Sequence, residues 1–395
     1  MCSRRHNQFA ILFAFITIVF VLGMATYSFA YAEHRSSIST YFPEPILIQD
    51  RVTGEYGIVN AHGEFIVPFS SVKLQIYKIR NEVFCVQRVD DKGSQAYALC
   101  NAYYMITDFN FTYLETTFID EYLILAVNTD YQYGYIDIRG RWVIQPDWTY
   151  AEPFSEGLAL VQTEHMFGYI DQSGAYVLQY THDYVSSGES FSEGIAAIGY
   201  ANGLWGYIDV LGEKITNGCY TECYSFSCGF ARIFNGQNYY FINHYGDFLN
   251  KEAYRYASDF LYGYAIVSLD GIRYGILSTN GDLVFPMEAN SIINITPDCY
   301  CWIQAEDSTL FRLYDLQTTS FICVEPYELP FEEGFVGNAE GFIVKKNNLY
   351  GYLSKKGTLL RPCQYKFLGM DDRGNLLELP DANDRYLFFT ASISK

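Results

Sequence analysis

Hydrophobic and polar positions alternate in short blocks along this chain of 395 residues. In the segment 157–191, three apolar runs stand at residues 158–161, 167–171 and 176–178, and polar turns at 163–165 and 172–174 separate them. Short apolar runs bounded by turn-forming residues are typical of β-strands. No stretch within residues 46–390 keeps the 3.6-residue periodicity of an amphipathic helix. The pattern therefore predicts an all-β chain of short antiparallel strands.

The second strand of this segment carries a motif, aromatic-Gly-Tyr-Ile-Asp-x-x-Gly, whose clearest copies begin at Tyr133, Phe167 and Trp205. An Asp that opens a turn can accept hydrogen bonds from the following amides, and a Gly that closes it tolerates positive φ. We therefore expect structural roles for the motif positions Gly134, Asp137, Gly140, Gly168, Asp171, Gly174, Trp205, Gly206, Asp209 and Gly212.

A second motif, Phe-Ser-Glu-Gly-apolar-Ala, precedes the first and supplies four more structural positions: Phe154, Gly157, Phe191 and Gly194. Weaker copies begin at Phe226 and Phe260. Aromatic residues fall six or seven positions before each Phe, and we interpret them as filling the seam between units: Trp148, Tyr184, Tyr220 and Tyr254. Prolines follow the third strand and are predicted to end its pairing, since proline lacks a ladder donor: Pro68, Pro146, Pro286 and Pro362.

Counting degenerate copies, about nine units of roughly 34–40 residues fill the chain, and such a period indicates one supersecondary unit stacked many times. We assign residues 1–32 to a signal peptide or anchor, 33–45 to a linker, 46–375 to the tandem repeats and 376–395 to a partial repeat or cap. Each unit has three strands and a possible fourth near residues 148–150. A propeller-like ring and an open β-solenoid both remain compatible with this count.

The two motifs together resemble the WG repeat family, most closely over residues 133–212. Only the copy at Trp205 keeps the tryptophan, and Tyr or Phe replaces it elsewhere. The resemblance implies a bacterial, often exported protein built from tandem β-repeats. It implies no agreed reaction and brings no catalytic residues.

The N-terminus has the features of a targeting segment. Arg4 and Arg5 precede an apolar run at residues 9–23, and Ala30-Tyr31-Ala32 matches a small-x-small cleavage site. We expect cleavage there. The alternative is an uncleaved anchor, because residues 9–32 are long enough to span a bilayer. Either way, the repeats are expected outside the cytoplasm, secreted or membrane-anchored.

The formal net charge of −19 disfavours nucleic acid as a partner and leaves membrane contact to the N-terminal segment. The ten cysteines include a group at Cys219, Cys223 and Cys228, but its spacing is not that of a zinc ribbon or finger. A calcium-binding row formed by Asp137, Asp171 and Asp209 is disfavoured because their turn role already explains them. We therefore predict no metal and no cofactor.

No familiar catalytic motif occurs in the chain, and Glu156 and Glu193 are interpreted as repeat positions and not as a glycosidase pair. The leading expectation is a non-enzymatic, exported scaffold that binds an unknown protein or cell-envelope ligand. The alternative is a surface carbohydrate-binding module, because aromatic residues (37 Tyr and 30 Phe) can offer stacking faces. A hydrolase is the third hypothesis.

Overall fold

A computed structural model describes residues 44–378, apart from 51, 61, 81, 117–121, 294, 305–307, 323–324, 332–334 and 371–375. The predicted N-terminal segment, most of the linker and the last seventeen residues lie outside this part of the chain. The described residues form strands, turns and bends without a helix, so none of their segments is a helix that could cross a membrane. The all-β prediction is confirmed.

The chain divides into two compact units, of which the first ends at Pro153 and the second begins at Phe154. The first unit holds three antiparallel sheets, ordered β1-β2-β3, β4-β5-β6 and β10-β9-β8-β7. Its strands are β1 (Ile46–Gln49), β2 (Tyr56–Val59), β3 (Phe65–Ser70), β4 (Lys73–Arg80), β5 (Val83–Val89), β6 (Gln95–Cys100), β7 (Tyr113–Leu114), β8 (Ile124–Val127), β9 (Tyr133–Ile136), β10 (Trp142–Trp148) and β11 (Tyr150–Ala151).

The second unit continues the same meander in successive small sheets. Its strands are β12 (Leu158–Gln162), β13 (Met166–Asp171), β14 (Tyr176–Thr181), β15 (Val185–Gly188), β16 (Ile195–Tyr200), β17 (Trp205–Asp209), β18 (Lys214–Tyr220), β19 (Glu222–Cys223), β20 (Phe230–Phe234), β21 (Tyr239–Asn243), β22 (Tyr256–Ala257), β23 (Tyr264–Ser268), β24 (Tyr274–Ser278), β25 (Leu283–Ala289), β26 (Ile292–Ile293), β27 (Tyr300–Gln304), β28 (Phe311–Asp315), β29 (Ser320–Phe321), β30 (Gly341–Lys346), β31 (Leu349–Ser354), β32 (Leu359–Tyr365), β33 (Leu368–Met370) and β34 (Leu376–Glu378).

Most four-stranded sheets of the described residues have a short first strand followed by three longer ones, but the sheet β26-β27-β28-β29 ends in the two-residue β29. The sheet β15-β16-β17-β18 and the sheet β22-β23-β24-β25 show this order, with every neighbouring pair antiparallel. The fourth strand expected near residues 148–150 is the two-residue β11, which begins at Tyr150. The tandem three- to four-stranded architecture is thus confirmed, and the choice between ring and open array stays a prediction.

The prolines do not end pairing as predicted. Pro146 lies inside β10, and the register with β9 shifts around it before Trp148 pairs with Tyr133. Pro68, Pro286 and Pro362 lie inside β3, β25 and β32 in the same way. A β-bulge leaves residues out of the ladder, so the missing N–H of proline costs nothing there and the strand continues.

This bulge also explains the glycine of the first motif. A Cβ on Gly134 would lie 2.8 Å from the Ile144 carbonyl oxygen, and one on Gly206 would lie 2.9 Å from that of Thr216. The two oxygens belong to the bulged strands β10 and β18, which press against β9 and β17 at this position. Gly is therefore required by the close approach of two backbones.

The core is shared between successive repeats of the second unit. One cluster joins Leu160 and Phe167 of one repeat to Val185, Phe191 and Ile198 of the next. A second cluster joins Tyr207 to Cys223, Phe226 and Ile233 in the same sense. A three-stranded meander alone cannot cover both faces of its middle strand, so each repeat completes the burial of its neighbour.

Candidate functional site

The Asp-x-x-Gly turns satisfy their own polar groups. Asp137 Oδ1 accepts hydrogen bonds from the amides of Arg139 (2.9 Å) and Arg141 (3.0 Å), and Gly140 has a φ of 72°. Asp171 and Asp209 repeat this geometry. The hydroxyl of Ser173, followed by turn amides, holds the pKa of Asp171 below its usual value. Their carboxylates close turns, and no group of three potential metal-ligating side chains occurs in the described residues.

The Phe-Ser-Glu-Gly segments are two-residue hairpins. Ser155 and Leu158 exchange both backbone hydrogen bonds, and the two residues between them, Glu156 and Gly157, have φ values of 54° and 82°. Two successive positive φ angles define a type I′ turn, which favours Gly at its second central position. Glu193-Gly194, Cys228-Gly229 and Tyr262-Gly263 adopt the same conformation.

Side chains of these hairpins bond each hairpin to the next. Ser155 Oγ donates to the Phe191 carbonyl (2.7 Å), and Ser192 Oγ donates to the Phe226 carbonyl (2.8 Å). The Glu156 carboxylate accepts the amides of Glu193 and Gly194, at 2.7 and 2.8 Å. Type I′ turns point these amides outward, and a carboxylate is their strongest acceptor. Glu156 and Glu193 therefore connect repeats, and the structure gives both a bonding role within the array.

The group of cysteines follows the repeat register as well. Cys228 stands where Glu156 and Glu193 stand, and its sulfur accepts the Gly263 amide at 3.3 Å. Cys223 is buried in the core beside Tyr207, and Cys219 is exposed on β18. All eight cysteines in the described residues are free thiols.

The tyrosine of the first motif makes the third inter-repeat bond. Tyr169 Oη donates to the Glu189 carbonyl at 2.8 Å, and Tyr207 Oη donates to the Tyr224 carbonyl at 2.7 Å. Their rings meet Phe191 and Phe226 with centroids 4.7 and 5.2 Å apart. The recurrent polar side chains are thus used to build the array, and a binding site must come from residues outside the motifs.

Such residues line one cleft of about 580 Å³ in the second unit. Asp183 and Tyr184 come from the loop before β15, Tyr200 ends β16, and Lys214 and Asn217 lie on β18. The cleft is completed by Ala201, Asn202 and Gly218. Its volume lies in the range of small-ligand sites.

Lys214 and two tyrosines form the centre of this cleft. The Lys214 Nζ lies 5.4 Å from the ring centroid of Tyr184 and 5.1 Å from that of Tyr200, and the two rings meet edge to face with centroids 5.7 Å apart. The hydroxyl of Tyr184 beside the ammonium raises the pKa of Lys214. Lys214 takes part in none of the ion pairs formed by the described residues. The cleft therefore presents a cation that no carboxylate neutralises by direct contact.

Tyr200 forms the floor of the cleft and is only 7% exposed. Its hydroxyl oxygen is buried without a hydrogen-bond partner in the described part of the chain. Burial raises the pKa of Tyr200, and the nearby Lys214 ammonium opposes that rise. The ammonium thus influences the hydroxyl electrostatically, although the two do not meet in hydrogen-bonding geometry. A buried hydroxyl without a protein partner is rare and calls for an explanation.

The cleft exists because one repeat departs from the common spacing. In three repeats, an aromatic residue of the strand after the first motif pairs with the aromatic residue that begins the motif. The pairs are Trp148 with Tyr133, Tyr180 with Phe167 and Tyr220 with Trp205. Six residues separate Trp148 from Phe154 and Tyr220 from Phe226, but eleven separate Tyr180 from Phe191. The additional residues include Asp183 and Tyr184.

The assignment of Tyr184 to the seam between repeats is therefore wrong. Tyr180 is the counterpart of Trp148, and Tyr184 is 46% exposed in the cleft. The one available sequence signal is the distance from Phe167 to Trp205, which exceeds the neighbouring distances by four residues. Tyr200, Asn202, Lys214 and Asn217 carry no motif, so the sequence analysis did not identify them.

Comparison with known families matches residues 133–164 and 205–239 to the WG containing repeat. The resemblance inferred from the sequence is confirmed for these two segments. No curated protein sequence matches the chain.

Several solved structures are distantly similar. BamB from Moraxella catarrhalis is 12% identical with a TM-score of 0.37, over 69% of this chain and 95% of that one. Hsv2p from Kluyveromyces lactis is 11% identical with a TM-score of 0.34, over 78% and 99%. Apo AztD from Citrobacter koseri is 8% identical with a TM-score of 0.31, over 80% and 92%. At such identities and TM-scores we draw nothing about function from these structures.

Proposed function

We propose that this chain is an exported, non-enzymatic repeat scaffold that binds a cell-envelope ligand or protein through the cleft around Tyr184, Tyr200 and Lys214. The observation that carries the proposal is the buried Tyr200 hydroxyl without a partner, next to a lysine without an ion pair. Polar groups left in this state are stabilised when a ligand supplies the missing acceptor. The motif residues, by contrast, already bond to one another.

A photo-crosslinking amino acid at position 184 tests this proposal. The full-length chain carrying the crosslinker is expressed in a bacterium with an intact envelope and irradiated. We expect adducts at position 184. The matched control carries the crosslinker at Tyr262, which is 50% exposed and does not line the cleft. Equal adduct yields at both positions would refute specific binding in the cleft, and fractionation of the same cells tests export.

A carbohydrate ligand is the second candidate, and the composition of the cleft favours it. Asp183, Asn202 and Asn217 line the cleft together with the half-exposed Tyr184. Side-chain amides and carboxylates bind sugar hydroxyls, and aromatic rings bind the apolar face of a sugar.

A further inference from the structure

We propose that the cleft binds a saccharide bearing one carboxylate, which Lys214 holds and to which the buried Tyr200 hydroxyl donates once the side chains over that hydroxyl move aside. This inference rests on the proposed function and specifies the ligand of the same site.

The first argument is the imbalance between donors and acceptors at the floor of the cleft. Lys214 has three N–H donors and no ion-pair partner, and the Tyr200 hydroxyl has one unused donor. The Asn202 carbonyl oxygen already accepts the Leu204 amide, which leaves its NH₂ group as a donor. A ligand that accepts hydrogen bonds from these donors must bring acceptor oxygens, and among such acceptors a carboxylate forms the strongest hydrogen bonds.

The second argument concerns the charge of the ligand. One ammonium and one carboxylate, those of Lys214 and Asp183, line the cleft. The whole chain carries a formal charge of −19, which repels polyanions. A dianionic phosphate, or a chain of phosphates, would meet one cation and a negative surrounding field. A single carboxylate matches the one lysine.

The third argument separates a sugar from a simple carboxylic acid. The cleft holds about 580 Å³, which a small acid would leave largely empty. Asp183 and Asn217 line its walls, together with the exposed part of Tyr184. These groups are suited to several hydroxyls and one apolar ring face. A sugar acid provides all three features in one molecule.

Gly218 keeps the floor accessible. A Cβ at this position would overlap the ring of Tyr200, so the absence of a side chain allows the ring to lie beneath β18. Gly218 lies two residues before Tyr220, and Pro146 lies two residues before Trp148. Because Tyr220 and Trp148 are equivalent paired residues, Gly218 and Pro146 occupy equivalent positions. The backbone in both repeats is bulged, and in this repeat the bulge lies over Tyr200, whose hydroxyl has no partner among the described residues.

The test uses the full-length chain and titration calorimetry with an acidic trimer, a galactose trimer in which one terminal residue is replaced by galacturonic acid so that it bears a single carboxylate. The comparison ligands are the neutral galactose trimer and sodium acetate. We expect the acidic trimer to bind at least about ten-fold more tightly than either, as expected for one charge-assisted contact. Binding is expected to weaken as salt increases, because the cleft is open to solvent.

Three variants locate the site. Lys214→Met is expected to weaken binding of the acidic trimer by about ten-fold or more, and Tyr200→Phe by about five-fold, since each removes a hydrogen bond to a charged group. The control, Lys251→Met, removes the same formal charge from an exposed lysine that does not line the cleft. It is expected to leave binding unchanged. Thermal unfolding of each variant establishes that it is folded.

The outcomes are separable. Equal binding of acidic and neutral trimers, or binding that Lys214→Met and Tyr200→Phe leave unchanged, overturns carboxylate recognition. No binding of the acidic trimer overturns the saccharide proposal as well. If adducts still form at position 184 in that case, the proposed scaffold function stands with a different ligand. If neither occurs, both proposals fail.

Discussion

The substitutions Tyr207→Phe and Tyr200→Phe each remove one buried hydroxyl. Comparing their effects on stability distinguishes a hydroxyl that bonds two repeats together from one that has no partner in the cleft. Tyr207 Oη donates to the Tyr224 carbonyl at 2.7 Å and accepts from the Tyr224 amide at 3.1 Å. The Tyr200 hydroxyl makes no hydrogen bond with the described residues. Both side chains are more than nine-tenths buried, so the two Tyr→Phe substitutions remove the same atom from similar surroundings.

Tyr207→Phe loses two hydrogen bonds that join successive repeats. At about 1 kcal/mol for each bond, the free energy of unfolding should fall by about 1–2 kcal/mol, because the Tyr224 carbonyl loses this donor while the Tyr224 amide keeps its bond to the Arg232 carbonyl. For a unit of about 240 residues, this loss lowers Tm by about 2–8 °C. Tyr200→Phe is expected to leave the free energy of unfolding unchanged or to raise it by up to about 1 kcal/mol, because it removes a buried hydroxyl that has no partner among the described residues.

The assay is urea unfolding of the full-length chain followed by circular dichroism, with Tm from calorimetry. The aromatic contact between Tyr207 and Phe226 remains in the variant, so the difference reports the hydroxyl and not the ring. Equal losses for the two substitutions, or a larger loss for Tyr200→Phe, would refute the assignment of inter-repeat bonding to Tyr207.

Three further predictions follow from the same geometry. Gly168→Ala places a Cβ against the Leu178 carbonyl and the Tyr176 ring, so overpacking should cost about 1–3 kcal/mol of unfolding free energy, and an unchanged urea midpoint would contradict the close-approach explanation. Ser192→Ala removes the bond to the Phe226 carbonyl and should cost about 0.5–1.5 kcal/mol; unfolding equal to wild type would show that the hairpin bonds contribute nothing. Burial raises the pKa of Cys100 and of Tyr220 to about 12, the latter with help from the Cys219 thiol. The pKa in the unfolded chain is near 9 for the thiol and near 10 for the phenol. A pKa raised on folding stabilises the folded state fully when the pH is below these unfolded-state values, and this stabilisation is lost as the pH rises toward about 12. Stability measured by urea unfolding should therefore decline from about pH 9 upward, and a flat profile over that range would exclude this linkage.

The sequence by itself determined the repeat, the strand composition and the turns. Asp137 and Gly140 specify their turn through contacts within five residues, and local patterns of that length can be recognised without a structure. The same holds for Glu156 and Gly157, whose φ angles follow from the hairpin type. The all-β architecture could be predicted from the sequence because many copies of one local pattern each indicate short strands joined by tight turns.

Only the tertiary structure decided what the motif residues bond to and where the cleft lies. The partners of Ser155 and Glu156 stand 36 to 38 residues away, a distance at which sequence shows the period but not the contact. The strand register showed that the seam assignment of Tyr184 is wrong, because a few additional residues after Tyr180 change which aromatic residue contacts the core. Tyr200 and Lys214 come together across a bulge, and a bulge leaves no fixed spacing in a sequence from which their contact could be predicted.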